Sequence, residues 1–147
     1  MRLRSVGIAT IAACWIWLAA DGARAQDAGP IRVDVMVSQI SQEPGSVDPR
    51  AKRLDAKLHN EFRYESLRVL QQKSLSLALN EIGKLALPNG GDLMLRPLSL
   101  SDRGVLMAVT VEGVVQSDMQ IPNGHLVAIG AGRFEDGKLV ISLEPHF

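Results

Sequence analysis

Residues 46–70 read SVDPRAKRLDAKLHNEFRYESLRVL, and the spacing of the apolar residues changes partway along. Ala51, Leu54, Leu58 and Phe62 recur at i, i+3, i+7 and i+11, which draws one apolar stripe along a helix. Asp48-Pro49 supplies an N-cap acceptor and then a proline at the first helical position, where its missing N–H costs nothing. From Leu67 the step becomes two: Leu67 and Val69, then Leu75, Leu77 and Leu79 between small or polar neighbours. That alternation belongs to a strand with one buried face, with an irregularity at Gln71-Gln72. The stretch predicts one helix over 49–63 and a long strand after it, and no other long stretch has a helical period.

Outward from there the pattern is that of strands and turns. Upstream, Ile31–Val37 alternates apolar and polar residues, and Ser41–Ser46, with Pro44-Gly45, reads as a loop. Downstream, Leu85–Leu87 and Leu93–Leu95 flank Pro88-Asn89-Gly90-Gly91-Asp92, and Ser101–Gly104 turns into Val105–Val111. Met119–Ile121 and Leu126–Ile129 flank a second Pro-Asn-Gly at 122–124, read as a second hairpin with the same turn chemistry. Glu135-Asp136-Gly137 leads into Leu139–Leu143. About eight strands, with turn signals roughly every 10 residues, predict a mainly β (α+β) fold. The expected form is an antiparallel β-sandwich or partly open barrel, with the single amphipathic helix over one opening or one face.

The N-terminus carries an export pattern. Arg2 and Arg4 precede an apolar run from Val6 to Ala20, and Ala23-Arg24-Ala25 is the small-x-small pattern of a cleavage site. The run is shorter than the roughly 20 residues needed to span a bilayer. Residues 1–25 are therefore expected to be a signal peptide, with cleavage before Gln26 and a periplasmic or secreted protein. Ile11-Ala12-Ala13-Cys14 resembles a lipobox, but the apolar run continues past Cys14 where a polar tether should begin. Membrane association is expected only if Cys14 is lipidated.

Residues 26–147 leave 122 residues, enough for one domain with a core of its own. The full chain holds 16 basic and 16 acidic residues; without Arg2, Arg4, Arg24 and Asp21 it holds 13 and 15, a net −2. That balance argues against nucleic acid as a partner. The chain's one cysteine departs with the signal, so the core and not a disulfide framework must hold the domain.

Three stretches carry a resemblance: Val47-Asp48-Pro49-Arg50, Phe62-x-Tyr64 with Leu67–Leu70, and Val127-Ala128-Ile129-Gly130 through Asp136-Gly137-Lys138-Leu139. They resemble a group of small uncharacterised exported proteins of Gram-negative bacteria, over most of the mature region. The paired glycines common in that group are here Gly130-Ala131-Gly132. The resemblance implies no catalytic residue and no ligand.

The search for chemistry yields little. His59, His125 and His146 belong to no paired metal motif, so no metal and no cofactor are expected. There is no G-x-S-x-G elbow, although a Ser/His/Asp triad is defined by geometry and could be assembled across the fold. Glu61 and Glu65 would share one face only if the helix ran past Arg63. The glycines at 90–91 and 130–132 lack the lysine and the βαβ context of a phosphate loop. On the helix, Arg50, Arg53 and Lys57 share an outward sector, close to Asp55 and His59. They are either a solvated face, with Lys57 pairing to Glu61, or a contact surface for an anionic partner. The function expected is a non-enzymatic interaction or assembly module of the cell envelope, with an envelope protein as partner. Two alternatives are a small-ligand or lipid carrier with the helix as lid over strands 93–95, 105–111 and 126–129, and an envelope hydrolase.

Overall fold

A computed structural model describes residues 29–147. The signal peptide over 1–25, the cleavage before Gln26 and Cys14 lie outside the described residues.

The strands are β1 (Ile31–Ser41), β2 (Ser66–Leu77), β3 (Gly83–Ala86), β4 (Asp92–Ser101), β5 (Gly104–Val111), β6 (Val115–Ile121), β7 (Val127–Phe134) and β8 (Gly137–His146). They form two four-stranded antiparallel sheets, β2-β1-β8-β7 (sheet A) and β3-β4-β5-β6 (sheet B). The chain is a β-sandwich, and the barrel alternative does not apply. One hydrophobic cluster joins the inner faces: Val33, Val35 and Val37 of β1 and Ile141 and Leu143 of β8 meet Leu93, Leu95, Met107 and Val109 of sheet B. Alternation in every strand puts these residues on one side, so pairing the two sheets removes both apolar faces from water.

The helix lies on the outer face of sheet A. Asp48 caps a 3-10 turn, Pro49–Ala51, by accepting a hydrogen bond from the Arg50 N–H at 3.0 Å, and α1 (Lys52–Leu58) follows. Ala51, Leu54 and Leu58 are buried in a second cluster with Ile40, Leu67, Val69 and Val140. The outward positions of β1 run Arg32, Asp34, Met36, Ser38, Ile40, from charged to apolar, and the helix sits over the apolar end.

β2 serves both clusters because of a bulge. Val37 pairs with Gln71 but Ser38 pairs with Val69, which leaves Leu70 as the extra residue. Leu67 and Val69 therefore face the helix, and Leu75 and Leu77 face the sandwich, although all four are odd-numbered. The expected irregularity exists, one residue earlier than Gln71-Gln72.

Two expectations are corrected. The helix ends at Leu58, not near Arg63: Glu61 and Phe62 both donate to the Leu58 carbonyl at 2.9 Å, and the Glu65 N–H already bonds Ser41 O at 2.8 Å beside sheet A. The chain must turn back within those few residues to start β2, so Phe62 leaves the stripe and is 38% exposed. The second Pro-Asn-Gly is no hairpin. β6 and β7 edge different sheets, and residues 122–124 carry the chain from one to the other. The reason is a better set of partners: Gly124 N–H donates to Pro145 O at 2.8 Å, and the Asn123 amide exchanges two bonds with the Phe147 backbone.

Candidate functional site

The three helix cations are not alike in their surroundings. Arg50 lies on its own cap, with Nη2 2.8 Å and Nε 3.2 Å from the two Asp48 oxygens. Those bonds, first from the Arg50 side chain and then from its N–H, hold the Asp48 carboxyl down at about 2. Arg53 reaches β8, where Nη1 donates to both Glu144 oxygens at 2.8 and 2.6 Å. Lys57 forms no ion pair among the described residues, and the pair expected with Glu61 is missing because the helix has ended. Two of the three charges are thus compensated by carboxylates at contact distance.

Arg53 opens onto a feature that sequence reading missed. Beyond the helix, the outward positions of β1, β2 and β8 carry Asp34, Ser74, Glu144 and His146 along an open groove of about 590 Å³. His146 Nε2 lies 3.2 Å from Asp34 Oδ2 and 3.4 Å from Glu144 Oε1. Ser74 Oγ donates to Asp34 Oδ1, and Arg32 stands 3.5 Å from Asp34 Oδ2. The order along the network is hydroxyl, carboxylate, imidazole. A nucleophilic triad needs the imidazole between the other two, where it can take the hydroxyl proton. Here two carboxylates are balanced by two arginines, an arrangement that ties β1, β2, β8 and α1 together. Among the described residues, no group of three or more His, Cys, Asp or Glu side chains is disposed to hold a metal ion. The only sequence signal for the network is its outward parity in three strands, and that becomes visible once the register is known.

The aromatic region offers a second polar hollow. Tyr64 OH donates to Asp55 Oδ1, and its ring meets His59 edge-on at 6.3 Å. Burial, and then that hydrogen bond, push the phenol up from its ordinary value. Glu61 lines the groove beside Phe62 and Tyr64, and Glu65 does not. Of the stretches offered as a cavity lining, 93–95 and 105–111 place alternate residues in the core of the sandwich, with sheet A between them and α1, whereas 126–129 sends Leu126 and Ala128 to the helix cluster and Val127 and Ile129 to the sandwich core.

The outer face of sheet B is built differently from that of sheet A. No helix covers it. Its cross-strand rows are Met94–Thr110–Gln116 and Arg96–Ala108–Asp118. Small Ala108 leaves a shallow hollow of about 230 Å³, with Met94 37% and Ile82 61% exposed at its side.

No helix of the described residues is long and apolar enough to cross a membrane. No family model, curated protein or solved structure matches the chain.

Proposed function

We propose that the chain is an exported, non-enzymatic interaction module of the cell envelope, periplasmic or secreted, whose contact surface is the outer face of sheet B. The observation that carries this reading is the asymmetry of the sandwich. Sheet A spends its outer apolar residues on α1, whereas sheet B keeps Ile82 and Met94 in solvent around a small-residue hollow. Exposed apolar side chains clustered on a bare sheet face mark contact sites more often than isolated ones do. Export follows from the N-terminal charge, apolar run and Ala23-Arg24-Ala25. The resemblance to small exported proteins of Gram-negative bacteria points the same way.

A photoreactive residue in place of Met94 tests the proposal in living cells, with the same residue in place of Lys52 on the helix as the control. Adducts from position 94 and few from position 52 are expected. Adducts from position 52 alone would move the contact to the helix side and end this reading.

A further inference from the structure

We infer that the partner this face fits is a second copy of the chain. The inference rests on reading sheet B as a contact surface and adds the identity of what covers it. In the row Arg96–Ala108–Asp118 a cation and an anion stand on either side of one small residue. Strand spacing puts their Cα atoms about 10 Å apart, with only the Ala108 methyl between them. Both are exposed, and neither forms an ion pair among the described residues.

Such a row is complementary to itself. A two-fold axis running along β5 between two facing sheets sets Arg96 of one copy opposite Asp118 of the other, and the reverse. The same axis puts Ala108 on Ala108 at the centre, where the absence of a longer side chain lets the sheets approach. Leu106 meets Leu106, Thr110 meets Thr110, and Met94 lies over Gln116. Every charge on the row is then answered. A different partner would have to bring its own cation and anion at this spacing.

The size of the face sets the strength. β3 has no counterpart across that axis, so three strands at ~4.8 Å and seven residues at ~3.4 Å give a patch of roughly 340 Å² per copy, roughly 690 Å² in total. That total falls below the usual range for stable complexes, so the dimer belongs to the weak, reversible class.

The test is sedimentation equilibrium of the protein as its cells make it, over roughly 10 µM to 1 mM, the range that brackets a weak interface. A reversible monomer–dimer equilibrium is expected. Arg96→Asp and Asp118→Arg should each weaken it about tenfold or more, because each sets like charges face to face. The double variant should return to within about threefold of the original, since it only exchanges the two signs. Thr110→Arg, which faces itself across the axis, should abolish association while leaving the thermal melt in place. A chain that stays monomeric throughout, or a double variant that fails to recover, overturns the inference. Adducts from position 94 to a different protein, with a monomer in the centrifuge, would overturn the second copy and leave the contact surface standing.

Discussion

Asp48 shows how one residue can be read in the sequence and still surprise in detail. Its role as a cap before Pro49 is plain from the chain order, and the structure forms that cap. The return of the Arg50 guanidinium to the same carboxylate is not, because it depends on the arginine rotamer. The consequence is a sign that can be checked. A carboxyl lowered from 3.8 to about 2 contributes stability above its unfolded value and loses it as pH falls through about 2. Between pH 4 and pH 2 the thermal midpoint should fall less steeply in Asp48→Asn than in the parent. Gly104 makes a different point. It holds φ at +123°, and a Cβ there would overlap the Ile121 carbonyl oxygen across the β5–β6 pair. Gly104→Ala should cost at least about 2 kcal/mol in a denaturant melt, from backbone strain and displacement of an edge strand.

At the scale of elements, the apolar stripe decides what α1 does. Leu54 and Leu58 are each 1% exposed beneath the helix. Leu58→Ala should cost about 2–5 kcal/mol, since neighbouring strands cannot collapse into the space. Lys52→Ala should stay within about 0.5 kcal/mol, and Phe62→Ala should cost clearly less than Leu58→Ala. Equal losses at 58 and 62 would mean that the helix continues past its observed end. Tyr64→Phe, which removes the bond to Asp55, should cost about 0.5–1.5 kcal/mol. The existence of the helix, its N-terminus and three of the four stripe positions, Ala51, Leu54 and Leu58, were legible, because period and capping are local properties. Its C-terminus was not, since it is fixed by the distance back to Ser41 on β1. The same contrast separates the two Pro-Asn-Gly turns. Both supply a glycine with positive φ, at Gly90 and Gly124, yet only the first closes a hairpin. Turn chemistry states that the chain bends; the sheet that receives the next strand is chosen by distant partners, here Pro145 and Phe147.

For the whole molecule, alternation was enough to read a mainly β antiparallel fold, because each strand announces one apolar side, but the choice between a sandwich and a partly open barrel came only with the strand pairing. Which sheet the helix would cover was written only in the register, through the bulge at Leu70 and the apolar end of β1's outward row. The polar network and the Arg96–Asp118 row were illegible for that reason: their members lie in different strands and are ordinary alternating polar residues when read singly. The central proposal is that sheet B's outer face, bare among the described residues, is covered where the protein works. Four methionines form a built-in ruler for it: Met107 in the sandwich core at 0% exposure, Met36 packed against the helix cluster, Met119 on the inner side of edge strand β6, and Met94 on the bare face at 37%. Methionine oxidation by dilute peroxide, read residue by residue by mass spectrometry in the purified protein at low concentration and in intact cells, tests it most directly. Met94 should oxidise fastest in the purified chain and slow several-fold in cells, while Met107 stays protected in both. Equal oxidation of Met94 in the two settings would contradict the account.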